Sequence, residues 1–210
     1  HKPTQGEVIV NGTSTRDKTC AQISSMVGYV FQNPDDQIFK TTVKDEVEFW
    51  CHYKKLSEEE TEKRCKWAAE LCGIECYYHF NPYEIPYSTK KFVSIASVLV
   101  AQTPYLILDE PTAGQDLIGV ECLVRLMDEM KRLGRSVVTI THDMEFAANH
   151  FNRIIVMAHK HIIADGTPGE IFANEEILRE AKVKKPQISE LSCRLGFGNL
   201  LKMQELVEKI

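Results

Sequence analysis

The spacing of apolar positions divides the chain into short elements. Glu7 to Val10 alternates and stops at Asn11-Gly12, which predicts a strand running into a tight turn. Met26 to Phe31 is a short apolar run with β-branched and aromatic residues, expected as a buried strand. Val43, Val47 and Trp50 share one helical face, so Thr42 to Trp50 reads as a helix. Ser57 and Glu60 form a capping-box pattern that opens a second helix, reaching to about Cys72. Asn81 to Pro86 is broken by two prolines. Ser88 or Thr89 is then placed to cap an apolar helix reaching to about Ala101.

The next stretch is the most regular. Tyr105 to Leu108 predicts a strand, and Ile118 to Leu133 a helix stopped by Gly134. Val137 to Ile140 reads as another buried strand, Met144 to His150 as a short helix, and Arg153 to Met157 as a further strand. This β-α-β-α-β rhythm implies an α/β fold with a mostly parallel sheet and helices on its faces. His161 to Ala164 is expected to pair back antiparallel. Thr167-Pro168-Gly169-Glu170 is a second capping box with proline at the first helical position. Beyond Phe172 the chain turns helical and charged, and Met203, Leu206, Val207 and Ile210 form an apolar stripe that needs a partner surface.

Composition narrows the possibilities. Of 210 residues, 43% are hydrophobic and 26% charged, so the chain can bury a core and is not a disordered segment. The longest apolar run, Ile95 to Ala101, is far too short to cross a bilayer. A net charge of −5 argues against a nucleic-acid groove. The seven cysteines include no C-x-x-C pair, which suggests reduced thiols serving as small core or surface residues. The sequence opens on His1, with no initiator methionine and no signal-peptide pattern, and we expect it to begin inside a longer gene product.

The strongest chemical signal is Tyr105-Leu106-Ile107-Leu108-Asp109-Glu110-Pro111-Thr112. A buried strand ends in two adjacent carboxylates, and ligands of open α/β sheets bind beyond the carboxyl ends of strands. Asp109 is placed to support Mg²⁺, and Glu110 to deprotonate a water. Without context, such a pair is more often a solvated acidic turn.

The context favours chemistry. This segment, continued by Ala113-Gly114-Gln115-Asp116, resembles the Walker B strand and D-loop of ABC-type ATPases. Thr139-Ile140-Thr141-His142-Asp143 resembles that family's H-loop, and Val30-Phe31-Gln32-Asn33-Pro34 its Q-loop. The longer string Phe31 to Phe39, with Gly166-Thr167-Pro168-Gly169-Glu170-Ile171-Phe172 and the helical tail, is similar to ATPase subunits of cobalt-type and energy-coupling-factor importers, which take up metal ions or vitamins. The resemblance spans essentially the whole chain.

It implies a P-loop NTPase-like fold with helices on both faces of the sheet. Residues 1–172 would form the nucleotide-binding domain, with a helical subdomain at about 42–101, and 173–210 a helical extension. ATP and Mg²⁺ are the implied ligands. Gln32 would sense Mg²⁺ and the attacking water, Asp109 would support the metal, and Glu110 would be the general base. Asp116 would cross a dimer interface, and His142 would contact the γ-phosphate. The implied partners are a second ABC ATPase subunit and an integral membrane transporter subunit, at the cytoplasmic face of the membrane, with no nucleic acid.

The sequence departs from the family in two ways. No Gly-x-x-x-x-Gly-Lys-Ser/Thr string occurs, so the Walker A cradle for phosphates is missing. Lys2 to Val8 resembles the segment just after that cradle and its helix, and a truncated sequence, lacking the first strands as well, is the simplest account. These residues alone should then bind ATP poorly. The family signature, Leu-Ser-Gly-Gly-Gln, falls on Ile85-Pro86-Tyr87-Ser88-Thr89 in gapless alignment, or begins at Tyr87-Ser88 in a shifted register. In either register side chains replace both glycines. Ser88, Thr89 and Lys90 could still offer a hydroxyl, a helix N-terminus and a positive charge to a phosphate. The expected assembly is a heterodimer with one competent and one degenerate site. The alternative is a non-catalytic ATPase-like dimerisation or regulatory partner. A soluble ABC ATPase of translation or DNA repair is a weaker one, since neither tandem domains nor coiled-coil insertions appear and the net charge does not favour a basic face.

Overall fold

A computed structural model describes residues 3–210. The chain forms two compact units, His1–Ile140 and Thr141–Ile210. The sequence draws a domain boundary at residue 172 instead; the packing groups residues 173–210 with 141–172.

The first unit opens with a small hairpin, β1 (Ile9–Val10) and β2 (Thr13–Ser14). Asn11 and Gly12, at φ 49° and 73°, supply the two left-handed residues such a turn requires. The short helix α1 (Cys20–Ile23) leads into β3 (Val27–Val30). Three helices come next: α2 (Val43–Tyr53), α3 (Glu58–Cys72) and α4 (Tyr87–Leu99). Then come β4 (Tyr105–Asp109), α5 (Leu117–Arg132) and β5 (Ser136–Ile140).

Local chemistry sets these limits. Thr42 caps α2 through Asp45 N–H, and Gly73 ends α3 in the left-handed conformation. Ser57 caps α3, but only the forward half of the expected box forms, because the Glu60 carboxylate accepts from Arg64 Nε at 2.6 Å. The anticipated cap of α4 by Ser88 or Thr89 is not made. That helix starts immediately after Pro86, with no side-chain cap, and both residues lie within its first turn. Pro86 takes the cap position, two residues before Ser88 and three before Thr89.

Strands β3, β4 and β5 form a parallel sheet in that order. Gly28, Leu106 and Val137 stand in one row and Val30, Leu108 and Thr139 in another. Leu106, Leu108 and Val30 are buried in the core with Val43, Val47, Cys51, Cys65, Ala68, Ile95 and Leu123. Small side chains on α2, α3 and α4 let those helices approach closely. Tyr29 and Val138 share the opposite, more exposed face. The reading of β5 as a buried strand is therefore corrected. Among the described residues it ends the sheet, with Ser136, Val138 and Ile140 exposed while the intervening residues turn inward.

The second unit contains α6 (Met144–His150), β6 (Ile154–Ala158), β7 (His161–Gly166), α7 (Pro168–Ala173), α8 (Glu175–Ala181), α9 (Gln187–Arg194) and α10 (Met203–Val207). Asp143 caps α6, and Thr167 with Glu170 closes the predicted box on α7. Ala147, Ala148, Phe172 and Leu178 form a small core. As expected, the segment from His161 pairs back antiparallel, β7 on β6, across a tight turn at His159 and Lys160; among the described residues β6 has no parallel neighbour. Of the apolar stripe near the C-terminus, Leu206 is buried, whereas Met203, Val207 and Ile210 are exposed. Among the described residues no helix is long and apolar enough to cross a membrane.

In the first unit β3 and α4 meet with little space between them. A Cβ placed on Gly28 would lie 2.5 Å from Val98 Cγ1 and 3.1 Å from Thr103 Oγ1. Valine has a stiff χ1 and cannot swing away. Gly28→Ala should cost about 1–3 kcal/mol by overpacking, read as a lower urea midpoint at unchanged slope.

Candidate functional site

Parallel register brings the predicted residues of the first unit to one end of the sheet. Val30 pairs with Leu108 and Asp109 with Ile140. Gln32 therefore leaves β3 at the level where Glu110 leaves β4. Gln32 is exposed. The loop carrying it is fastened by Gln37, whose Oε1 accepts from Phe31 N–H at 3.1 Å and whose Nε2 donates to Ser94 O at 2.8 Å.

Asp109 is half-buried and its Oδ2 accepts from the Tyr29 hydroxyl at 2.7 Å. That hydrogen bond, reinforced by partial burial and the carboxylate charge, raises Tyr29 above the ordinary phenol range. Tyr29 orients one carboxylate oxygen of Asp109, so the other remains for a cation. Mg²⁺ characteristically takes one or two carboxylates and completes its shell with waters and phosphate oxygens. Among the described residues no cluster of three or more His, Cys, Asp or Glu could cage a metal. The donor set thus fits a metal delivered with a phosphate substrate.

Glu110 has φ 45°, a left-handed conformation that a long side chain adopts at a cost of about 1–3 kcal/mol. Its N–H donates to Ile140 O at 2.9 Å, and its C=O accepts from Lys91 Nζ. Lys91 also donates to Ala113 O at 3.3 Å. Only 1% of Lys91 is exposed; burial pushes its ammonium below the ordinary lysine range, and the Glu110 and Asp109 charges oppose that shift. The following turn closes through Ala113 N–H to Glu110 O at 3.3 Å and Gln115 N–H to Thr112 O at 3.0 Å. It ends at Asp116, which is exposed and whose Oδ1 caps α5 through Gly119 N–H at 2.8 Å.

The first turn of α4 packs on this acidic turn. Gln115 Nε2 donates to Ser88 O at 3.2 Å, and a Cβ on Gly114 would lie 3.4 Å from the Tyr87 ring. The amide groups of Tyr87, Ser88 and Thr89 carry no side-chain cap, and both Ser88 and Thr89 are half-buried. Lys90 does not offer its charge there. Its Nζ is bound to Asp35 Oδ1 at 2.8 Å and lies over the Tyr83 ring. His142 belongs to the second unit, where it is exposed and directly precedes the Asp143 cap of α6.

Sequence reasoning missed Tyr29, Gln37 and Lys91. Tyr29 and Asp109 are separated by 80 positions, a pairing that only the β3–β4 register reveals. Lys91, beside Lys90 near a helix start, gave no sign of burial.

Comparisons with known proteins point to one family. A family model described as ABC transporter matches residues 1–113. The energy-coupling factor transporter ATP-binding protein EcfA of Methanocaldococcus jannaschii is 36% identical over 192 residues, covering 90% of this chain and 69% of that protein. Among solved structures, cbiO1 from Clostridium perfringens, part of the complex cbiONQ, aligns with a TM-score of 0.75 at 33% identity, over 91% of this chain and 77% of that one. A dimeric ATP-binding cassette in a post-hydrolysis state with ADP and Pi aligns with a TM-score of 0.72 at 25% identity, over 80% of this chain and 75% of that one.

The Tyr29–Asp109 bond can be checked by titration. Because the carboxylate opposes formation of the phenolate, Asp109→Asn should lower the pH at which Tyr29 ionises. Ultraviolet difference titration against Tyr29→Phe isolates the signal; an unmoved transition would contradict the bond.

Proposed function

The chain belongs to the ABC transporter family, as an ATP-binding subunit with the family's mixed α/β P-loop NTPase fold, and we propose that it powers a cobalt-type or energy-coupling-factor importer of a metal ion or vitamin. The EcfA relative and the cbiO1 neighbour support that narrower assignment. The reaction is hydrolysis of ATP. A water oxygen bonds to the γ-phosphorus, the β–γ bridging oxygen leaves with ADP, and the water's proton passes to a carboxylate.

One observation carries the assignment. Glu110 directly follows a core strand, in a left-handed conformation locked by its N–H on Ile140 O and its C=O on Lys91. We assign Glu110 as the general base, since a carboxylate fixed at a strand end can receive that proton. Asp109, oriented by Tyr29, would hold Mg²⁺, which supplies charge neutralisation to the phosphates. Gln32, at the same end of the sheet, would orient the attacking water. His142 is assigned to the γ-phosphate. The α4 N-terminus, with Ser88 and Thr89 in its first turn, would face a phosphate bound by the partner, and Asp116 would lie near that interface.

Family members work as dimers with membrane components, as the dimeric cassette and the cbiONQ complex illustrate. We propose a heterodimer here. Pro86 and the side chains of Tyr87, Ser88 and Thr89 replace a glycine-rich signature, so this chain supplies a sound acidic pair to one site and a weak signature to the other. The membrane subunit would dock on the helical segment after Gln32. There Phe39 and Phe49 meet edge-to-face at 4.9 Å, Tyr53 stacks on Phe49, and all three rings are exposed. Association at the cytoplasmic face of the membrane follows from that docking. No phosphate-cradling string occurs within these 210 residues, and we propose that they do not hydrolyse ATP by themselves.

The test is Glu110→Gln in the complete gene product with its ATPase partner. ATP binding should persist while turnover falls by about 10²-fold or more. Unchanged turnover would remove Glu110 as the base and, with it, the competent site.

A further inference from the structure

The hydrolytic role of Glu110 leaves open what keeps its backbone in a conformation that long side chains avoid. Its N–H is secured by β5 through Ile140. Its C=O faces the opposite way and receives a buried ammonium, that of Lys91. Unlike Lys90, which meets the Asp35 carboxylate, Lys91 is bound by two carbonyls of one turn, Glu110 and Ala113. A buried ammonium must satisfy its donors, so this turn cannot drift without stranding the charge. The turn is also hydrogen-bonded to Ser88 O on α4, and Gly114 lies close to the Tyr87 ring. The acidic turn and the start of α4, residues 87–91, therefore meet at three places, of which the Lys91 ammonium is the charged one.

We propose that Lys91 is a positioning residue for Glu110: its ammonium, received by the Glu110 and Ala113 carbonyls, holds the left-handed turn that aims the Glu110 carboxylate and couples that turn to α4. The role rests on the assignment of Glu110 as the base. Lys91 itself meets neither water nor phosphate in this scheme; it acts through the backbone it grips.

Two variants test it in the complete gene product with its partner. Lys91→Met keeps an apolar stem of similar length and removes the donor. Its kcat should fall by about tenfold or more while KM for ATP stays within about twofold, because the loss lies in the transition state. Amides of Glu110 and of residues 112–115 should exchange hydrogen faster, with those of β5 and α5 unchanged. Lys91→Gln retains an N–H donor on a shorter stem and should recover kcat to within about threefold of wild type, with intermediate exchange. In a Glu110→Gln background, Lys91→Met should produce no additional loss. A Lys91→Met enzyme with wild-type kcat, or one equally impaired in both backgrounds, overturns the proposal. If Lys91→Met does not fold, Lys91→Gln decides: faster exchange at Glu110 and 112–115 supports the role, and wild-type exchange with wild-type kcat overturns it. A wild-type protein that hydrolyses no ATP would defeat the ATPase assignment instead, and the exchange measurement would still report on whether Lys91 holds the turn.

Discussion

The parallel register of three strands is the constraint on which the rest of the site depends. Once Val30 lies beside Leu108 and Asp109 beside Ile140, the loops after β3 and β4 must emerge at one end. The last rung also leaves Ile140 O free to take the Glu110 N–H, which turns the chain sharply after the acidic pair. A slip of one residue would reverse every side chain in β4, sending Leu106 and Leu108 out of the core and Asp109 into it. Burial of those two leucines therefore enforces the position of the carboxylate.

Around that register three polar side chains of the first unit are spent on loops. Gln37 fastens the segment after β3 to α4, Tyr29 orients Asp109, and Lys91 holds the turn after β4. Each joins elements far apart in sequence by donating to a backbone carbonyl or a carboxylate. Loops that carry chemistry are usually the mobile parts of a fold; here side chains from the scaffold brace them.

Much of this is legible from local patterns. Helix limits come from single residues: Thr42, Ser57, Asp143 and Thr167 at starts, Gly73 and Gly134 at or just after ends. The acidic pair announces itself because an apolar strand ends in it. Non-local facts are not legible. An apolar β-branched run such as Val137 to Ile140 looks the same whether both faces are covered or one, so its pattern overstates the burial of β5. The strand after α6 reads as one more parallel strand by rhythm, yet among the described residues its sole strand partner is β7, whose antiparallel return the sequence does show. Hydroxyls at Ser88 and Thr89 suggest a cap, yet Pro86 has already set the helix start. No sequence pattern distinguishes Lys90, bound to a surface carboxylate, from Lys91, enclosed beneath a turn.

The bare Cα of Gly28 against Val98 bears on how force would travel through this unit. Two elements separated by less than the width of a methyl group have no slack between them, and Gln37 adds a strap from the adjoining loop to the same helix. Close packing of this kind leaves a displacement of β3 little room to be absorbed as side-chain strain before it reaches α4.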